Sequence, residues 1–478
     1  MAGAEIGIAD VAPARVPVAG ALDPRAIDRL RQSLAGGLIE PGGTGYDDAR
    51  RVWNGAIDRH PAVIALAASL DDVRRVVAFA REHDVPLAVR GGGHGIAGFG
   101  SVDDGVVLDL GALRAVTVDQ RRRRAAAGGG ARWRDFDAAT HASGLASTGG
   151  LVSSTGIGGL TLGGGIGWLM RAFGLACDNL IGATVVDAAG EVRLAGAGED
   201  DELLWGLRGG GGNFGVATEL VYHLHPVDRV TAGWLAFPIE RLTDVATAYG
   251  EVTRQSPDEL TTMLTVQHAP DDPTLPQPLR DRRVIFVTVC HVGPERAAGP
   301  AIAPFRGMQP LAESIDCVPY PAFQQAFDAD LPPGRRTYLK GGFVDGLPDG
   351  AIGVIADWMA DAPSTSSEID FHQMGGAVAR VGESQTAYAD RHAAFVFNIL
   401  TRWDEPPDDD RHRDWARGFA AGLAPYGGGR AYVNFLGEPE SPAGVGSAYG
   451  RERYERLVRL KRRLDPSNLF RLNQNVVP

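Results

Sequence analysis

Three stretches of the chain alternate apolar and polar residues with the period of an α-helix. The first, SLDDVRRVVAFAREHD, begins at Ser69, which predicts an N-cap with Asp72 three residues on. The second, WRDFDAATHASGL, ends near Gly144, and the third, within YGRERYERLVRLKRRLDPSNLFRLNQN, stops at Asp465-Pro466. The positions predicted to form buried stripes are Val73, Val76, Val77 and Ala80 in the first helix and Tyr454, Leu457, Leu460 and Leu464 in the third.

Short apolar runs between these helices predict β-strands. In the first half they are VPLAVR, GVVLDL, AVTVD and VATELVYHLHPV, and GATVVDAAGEVRLAG predicts a hairpin that turns at Ala188–Glu191. After Pro226 glycine becomes rarer, and the runs WLAFPI, LTTMLTVQHA, RVIFVTVCHV, EIDFHQMGG and AFVFNILTRW predict antiparallel strands with flanking helices. We therefore expect an α+β protein with one compact unit over 57–228 and a second unit after it.

Length and charge narrow the function classes. The 478 residues exceed one core and predict two or three domains. A net charge of −12 disfavours nucleic acid and an anionic membrane surface as partners, and no window has the apolar length of a membrane span. The N-terminus lacks the pattern of a signal peptide, and the three cysteines are far apart, so we expect a reducing compartment and a cytoplasmic protein.

Three glycine clusters carry the candidate chemistry: RGGGHGIAGFG, STGGLVSSTGIGGLTLGGGIG and RGGGGNFG. Two GxGxxG matches lie in them, but neither follows a strand and opens a helix, which argues against a Rossmann site. The HLH pair of His223 and His225 could ligate a metal but is more often structural at a strand end, so we predict no metal site. Because the N–H groups of glycine turns bind anions, three such turns predict a long diphosphate ligand, with a flavin dinucleotide favoured.

The same residues carry a family resemblance. RGGGHGIAGFG with GVVLDL, the 147–192 stretch, LLWGLRGGGGNFGVATE, and YVNFL with LDPSNLFRLNQN occur in this order. Together they resemble the berberine-bridge-enzyme-like FAD-linked oxidases, within the vanillyl-alcohol-oxidase type flavoproteins, from about residue 45 onwards. The resemblance implies a two-lobed PCMH-type FAD-binding domain and an α/β substrate domain with an antiparallel sheet. We expect a peripheral segment at 1–45, the FAD-binding domain at 46–228, the substrate domain at 229–430 and a C-terminal segment at 431–478 that returns to the FAD domain.

The resemblance also implies how FAD is held. The family histidine that bonds to the C8α methyl group of the flavin corresponds to His94, and the cysteine that forms a second bond in many members corresponds to Val152. We therefore predict one covalent link, through His94. The predicted cofactor-binding residues are Arg90, Gly91, Gly92, Gly93, His94, Gly95, Gly98, Leu110, Val152, Thr155, Gly156, Gly158, Gly159, Gly163, Gly164, Val216, Asn434 and Asn473.

The candidate catalytic residues are Tyr432, Asp370 and His372. The resemblance places Tyr432 beside the flavin, on a predicted strand on which Tyr432 and Asn434 share a face. Phe435 stands where the family often has a second tyrosine, which argues against a pair of tyrosines as the base. The resemblance places the strand EIDFHQMGG on the substrate side of the flavin, and it therefore implies Asp370 or His372 as the general base, since burial can tune either toward neutral pH. The base would take a hydroxyl proton of a small-molecule alcohol, sugar or natural product, a hydride would pass to the flavin, and O2 would reoxidise it.

Two other functions stay open at this point. One is a flavin-dependent oxygenase or oxidative cyclase of secondary metabolism, which the departures at Val152 and Phe435 favour; the other is a non-catalytic flavin-binding protein. The oligomeric state is left open.

Overall fold

The computed structural model describes residues 22–438 and 441–478, apart from 272 and 274. Residues 1–21 of the segment predicted as peripheral lie outside the described residues. The strands are β1 (Leu38–Ile39), β2 (Val63–Leu66), β3 (Leu87–Arg90), β4 (Val106–Asp109), β5 (Val116–Asp119), β6 (Arg124–Gly128), β7 (Leu145–Ala146), β8 (Leu180–Val186), β9 (Val192–Ala195), β10 (Val216–His223), β11 (His225–Pro226), β12 (Arg229–Pro238), β13 (Leu260–Ala269), β14 (Arg282–Val292), β15 (Ala312–Pro319), β16 (Arg336–Val344), β17 (Glu368–Gln373) and β18 (Phe395–Trp403). The helices are α1 (Pro24–Ser33), α2 (Tyr46–Arg50), α3 (Leu70–Glu82), α4 (Trp133–His141), α5 (Ile157–Leu162), α6 (Met170–Phe173), α7 (Asp201–Leu207), α8 (Leu242–Thr253), α9 (Glu295–Arg306), α10 (Tyr320–Gln324), α11 (Asp349–Ala360), α12 (Ala377–Arg380), α13 (Asp409–Leu423), α14 (Pro442–Tyr449) and α15 (Arg451–Leu464).

The first sheet has the order β1-β2-β4-β3, with β2, β3 and β4 parallel. The predicted helix α3 connects β2 to β3, and the hydroxyl of Ser69 accepts a bond from the Asp72 N–H as its N-cap. Its predicted buried stripe is confirmed, since all four positions are 0% exposed. The loop that carries RGGGH joins the neighbouring strands β3 and β4 without a helix, so its backbone is free to line a ligand site.

The second sheet is antiparallel, in the order β5-β6-β10-β8-β9, and includes the predicted hairpin between β8 and β9. The second glycine cluster holds the short helix α5, and the third joins α7 to β10. Helix α15 packs against α7 and buries Leu457, Leu460 and Leu464 as predicted, while Tyr454 is half-buried. These two sheets and the C-terminal segment form what we call the first lobe.

The third sheet has seven antiparallel strands in the order β15-β12-β14-β13-β17-β18-β16, and with its helices it forms the second lobe. Helices α8, α9, α11 and α13 cover one face, against which Ile369 and Phe371 of β17 pack. Because side chains alternate along a strand, Glu368 and Asp370 point to the opposite face, toward the first lobe. Two of these strands, β15 and β16, were not predicted from the sequence.

The strand predicted around Tyr432 is wrong. Residues Val433–Phe435 form a 3-10 turn, because the Phe435 N–H donates to the Tyr432 carbonyl over 2.8 Å. The amide Nδ2 of Asn434 still donates to the Tyr432 hydroxyl at 2.9 Å. The two side chains therefore meet through a turn and not through strand alternation.

Candidate active site

A cavity of about 470 Å³ lies where the glycine clusters of the first lobe meet the open face of the seven-stranded sheet. This volume is within the usual range for cofactor and small-molecule sites. The predicted site residues that line it are Arg90, Gly91, Gly92, Gly93, His94, Gly95, Leu110, Val152, Thr155, Gly156, Gly158, Gly159, Gly163, Asp370, Asn434 and Asn473.

Five predicted site residues lie outside this lining. Gly98, at a φ of +76°, packs against Ile57. Three more lie directly beside the wall, namely Gly164, Val216 and Tyr432. In each case a residue next to it in the chain lines the cavity instead: Gly163, Gly215 and Val433. His372 stands one alternate position beyond Asp370 on β17 and reaches the site through Asn398.

The glycines bring two loops into contact around the cavity. A Cβ atom on Gly92 would lie 2.3 Å from the Gly156 nitrogen, so only glycine lets the 91–93 and 155–156 backbones meet. Around Gly95, Gly159 and Gly212 a Cβ would meet no atom within 4 Å, and all three line the cavity. The wall there is bare backbone, which suits the close approach of an anionic ligand.

His94 is fixed on two sides. Its ring stacks on Trp53, with centroids 5.2 Å apart, and its Nε2 lies 2.9 Å from the Ser154 hydroxyl. The pKa of His94 is lowered to about 4, mainly by burial and then by the charge of Arg132. Arg134 adds a smaller effect in the same direction, and Asp328 opposes the shift. The imidazole is therefore neutral at physiological pH and one ring nitrogen can act as a nucleophile.

The opposite wall holds a hydrogen-bonded chain of polar side chains. Asp370 and Asn398 are direct partners in the β17–β18 register, and Asn398 Nδ2 donates to Asp370 Oδ2 at 2.9 Å. Thr265 donates to the other carboxylate oxygen at 2.6 Å. Since the Asn398 amide nitrogen faces Asp370, its oxygen accepts from His372 Nε2 at 2.6 Å, which sets the tautomer of His372. Burial lowers the pKa of His372, so this ring is neutral.

Glu368 shares this wall and was not among the predicted site residues. Its side chain is 16% exposed, lines the cavity and lies 3.9 Å from Arg402. Burial and then the charge of Asp370 raise the pKa of Glu368 to about 8, although Arg402 opposes the shift. The wall thus carries two carboxyl groups, and the pKa of the Glu368 carboxyl is raised toward the range in which a carboxyl group can act as an acid or a base at neutral pH.

The rest of this wall is apolar. Leu331, Leu339, Leu400, Phe435 and Leu436 line it, from β16, β18 and two loops. An apolar chamber with one polar edge can bind the body of a small molecule and orient a single reacting group.

Tyr432 is placed differently from the other catalytic candidates. Its hydroxyl accepts from the Gly165 N–H at 2.8 Å and from Asn434, and burial raises its pKa. The phenol is therefore protonated and bonded to the backbone of the second glycine cluster.

The residues present fit FAD. The wall contains backbone turns for a diphosphate, and it also holds two buried polar atoms without a partner among the described residues: the acceptor Asn473 Oδ1 and the donor Trp53 Nε1. A dinucleotide carries both donors and acceptors along its length, so it can satisfy both kinds of atom.

Comparisons with known proteins agree with this geometry. A family model described as an FAD binding domain matches residues 61–196, and one described as berberine and berberine like matches residues 431–477. An FAD-linked oxidoreductase of Dictyostelium discoideum is 29% identical over 458 residues, which is 95% of this chain and 97% of the relative. The (R)-6-hydroxynicotine oxidase of Paenarthrobacter nicotinovorans is 28% identical over 471 residues, 93% of this chain and 97% of the relative. The solved 6-hydroxy-D-nicotine oxidase from Arthrobacter nicotinovorans superimposes with a TM-score of 0.84 at 28% identity, over 93% of this chain and 98% of that chain.

Fold and site together define a two-lobed, PCMH-type flavoenzyme, and the predicted α+β class is confirmed. The chain contains an FAD binding domain and a berberine-like C-terminal segment, and it is similar over nearly its whole length to FAD-linked oxidoreductases. It is an enzyme, and its cofactor is FAD.

The histidine pair outside the site has a packing role. His225 Nε2 donates to Asn179 Oδ1 at 2.7 Å, and the His225 ring stacks on Phe173 with centroids 4.0 Å apart. Over the described part of the chain, no group of three or more His, Cys, Asp or Glu side chains is arranged to hold a metal ion. Within the same residues no helix has the length and apolarity of a membrane span.

Sequence reasoning missed Trp53, Ser154, Glu368 and Asn398. Alternation along EIDFHQ does place Glu368 on the face of Asp370, so a signal for it existed. Asn398 could be found only from the pairing of β17 with β18, which the sequence does not show.

Proposed function

We propose that the chain is an oxidase whose FAD is attached covalently through His94, and that it oxidises a small-molecule alcohol, sugar or natural product with O2 as the electron acceptor. The observation that carries the proposal is the neutral His94 ring on the wall of a glycine-built cavity, held by Trp53 and Ser154. The same proposal includes domain boundaries at residues 45/46, 228/229 and 430/431, together with the cofactor-binding residues predicted from the sequence.

The first lobe holds the cofactor mainly through backbone. Arg90 keeps the end of β3 in place, because its guanidinium bonds Asp109 of β4 at 2.7 and 2.8 Å. Asp109 also accepts from the Gly111 N–H at 2.6 Å. Asn473 and Gln474 close the C-terminal side, where Gln474 Nε2 donates to the Glu438 carbonyl at 2.9 Å. FAD, when bound, supplies two-electron oxidation of a substrate C–H bond and transfer of those electrons to O2.

Polar side chains of the second lobe accept the proton that the substrate loses. Asp370 accepts two hydrogen bonds, one from the Thr265 hydroxyl and one from the Asn398 amide. Its charge keeps the Glu368 carboxyl near the pKa at which a general base is effective at neutral pH. We assign Glu368 as the group that accepts the substrate proton at Oε, Asp370 as the group that tunes it, and His372 with Asn398 as the pair that orients Asp370. Tyr432 stays protonated and positions Asn434.

The cofactor assignment is tested on the denatured protein. We expect the yellow colour to stay with acid-precipitated chain, and a tryptic peptide containing His94 to carry the mass of FAD. His94→Ala should bind FAD and release it on denaturation. Complete release of flavin from the fully loaded wild-type chain would refute the covalent link.

The proton assignment is tested by pH profiles. The rate should rise with pH through an apparent pKa near 8 as Glu368 loses its proton. Glu368→Gln should lower kcat by about 10²–10⁴-fold, whereas Glu313→Gln, at the exposed sheet edge, should not. Asp370→Asn should move the rising limb to lower pH, since it removes the charge that raises the Glu368 pKa. A limb that stays in place in Asp370→Asn would contradict the assignment.

Peroxide yield separates oxidase from oxygenase activity. An oxidase forms one H2O2 per substrate oxidised, and an oxygenase forms little and inserts oxygen. The alternative is a flavin-dependent oxygenase or oxidative cyclase. It is favoured by Val152 and Phe435, which stand where many family members have cysteine and tyrosine. A yield far below one peroxide per substrate would favour that alternative.

A further inference from the structure

Ser154 is the only polar contact that the described residues give the His94 ring in hydrogen-bond range, and the cofactor contacts proposed above leave its role unexplained. Its hydroxyl lies 2.9 Å from Nε2, in the turn that precedes α5. The adjacent Ser153 makes different bonds: its N–H donates to Asp328 Oδ1 at 2.9 Å and its hydroxyl donates to the same carboxylate. The two adjacent serines therefore have the same side chain but different partners, His94 for Ser154 and Asp328 for Ser153.

We infer that Ser154 is a positioning residue for flavin attachment: its Oγ accepts the Nε2–H of His94 and so leaves the lone pair of Nδ1 free for the bond to the flavin. This inference rests on the proposed covalent link at His94. A neutral imidazole has one N–H and one lone pair, so with Ser154 Oγ as the acceptor the hydrogen is on Nε2 and the lone pair is on Nδ1. The stack on Trp53 restricts rotation of the ring, so the hydroxyl can select a tautomer without losing the orientation.

The charges around the ring support the same state. The charges of Arg132 and Arg134 lower the pKa of His94 and so disfavour the imidazolium, while Asp328 acts in the opposite direction. A ring kept neutral needs no prior deprotonation, but its tautomer must still be set. Ser154 is the group placed to do this.

The attachment step balances as follows. A bond forms between His94 Nδ1 and the carbon of the flavin C8 methyl group, and one C–H bond of that methyl group breaks. The methyl group and Nε2 each release one proton, the latter along the hydrogen bond to Ser154. Dioxygen takes the two electrons and both protons and becomes hydrogen peroxide.

The test is a time course of attachment in the full-length chain. FAD is added in air to chain produced without riboflavin, and the flavin that stays with acid-precipitated protein is compared with the total bound. The Ser154→Thr and Ser154→Val variants are matched in shape and differ only in the hydroxyl. We expect threonine to attach flavin at nearly the wild-type rate and valine to be about five- to tenfold slower, as the loss of one hydrogen bond implies, with total FAD binding equal in both. Ser153→Ala, which removes the neighbouring hydroxyl, should attach flavin at the wild-type rate.

The outcomes are separable. Equal rates for the threonine and valine variants would overturn the role of Ser154 while leaving the covalent link intact. Slow attachment in Ser153→Ala as well would also overturn it, because the effect would belong to the turn and not to the bond with Nε2. Release of all flavin by the wild-type chain would refute the proposed function instead. If the valine variant binds less FAD in total, attachment is compared per bound FAD, and equality there again overturns the inference.

Discussion

Lys461 joins three segments of the first lobe through one buried ammonium group. Its Nζ donates to Asp465 Oδ2 at 2.8 Å and to the carbonyls of Asn213 and Phe470, both at 2.9 Å. The side chains of Lys461 and Asp465 are 0% exposed. All three ammonium protons thus have an acceptor, which is the condition under which a buried charge is tolerated.

We predict that Lys461→Met destabilises the first lobe strongly. Methionine fills similar space, but it leaves the Asp465 carboxylate without its cation and two carbonyls without their donor. Removing one partner of a buried ion pair costs about 3–5 kcal/mol, out of a total stability of roughly 5–15 kcal/mol. For a lobe of this size the melting temperature should fall by roughly 5–15 °C. Because Phe470 and the glycines beside Asn213 line the cavity, FAD binding should weaken at the same time.

Thermal melts followed by circular dichroism and by flavin fluorescence measure both effects. Arg462→Met, on the exposed next position of α15, is the matched control and should change the melting temperature by less than about 2 °C. Asp465→Asn removes the buried anion, so Lys461→Met combined with Asp465→Asn should lose at least about 2 kcal/mol less than the sum of the two single losses. A Lys461→Met protein within about 1 kcal/mol of wild type, or strictly additive variants, would refute the reasoning.

Three further predictions follow from single sites. Asp137 is buried, both its carboxylate oxygens lack a partner among the described residues, and burial raises its pKa well above the usual value. At each pH unit above the usual Asp pKa the folded state therefore loses about 1.4 kcal/mol of stability, as long as the buried group stays protonated. Asp137→Asn should raise the melting temperature more at pH 8 than at pH 5, and an equal gain at both pH values would contradict this. Val152→Cys should form a second covalent bond to FAD in addition to that of His94, seen as a flavin mass on the peptide containing residue 152 and as a raised flavin potential; a free thiol in the loaded protein would count against it. Gly92→Ala should force apart the loop that contacts Gly156, at a cost of about 1–3 kcal/mol, with a lower flavin content in the purified protein, whereas wild-type loading would show that the contact is dispensable.

Local patterns predicted the parts of the fold that depend on near neighbours. The stripe in α3, the Ser69 cap and the hairpin between β8 and β9 are all set within about fifteen residues of chain. Strand β15 has an interrupted apolar pattern, AESIDCVP, and β16 contains Gly341-Gly342, so neither has the composition of a strand. Both are strands because they pair with β12 and β18, far away in sequence.

The candidate site divides in the same way. A cluster of glycines in the sequence indicates a place where the backbone comes close to another group. Most of the glycines predicted as site residues line the cavity. The Tyr432–Phe435 stretch has the alternation of a strand, but a bond between Phe435 N–H and the Tyr432 carbonyl curls it into a turn. The pKa of Glu368 depends on burial and on the neighbouring Asp370, and the alignment of Asn398 with Asp370 depends on the strand register; neither quantity is written in local sequence.

The first-lobe wall of the cavity consists mainly of backbone and the second-lobe wall of side chains. This difference affects which wall can be mutated to change the substrate preference. The first-lobe wall is largely backbone held by glycine contacts, so a substitution there disturbs the loops themselves. The second-lobe wall is a set of side chains on a rigid sheet whose other face carries the core through Ile369 and Phe371. Because alternate residues of one strand serve the two faces, Leu339 and Leu400 can change without altering the packing of the helices behind them. We therefore expect substrate preference in this enzyme to depend on the cavity face of β16 to β18, while the glycine-lined groove stays committed to the cofactor.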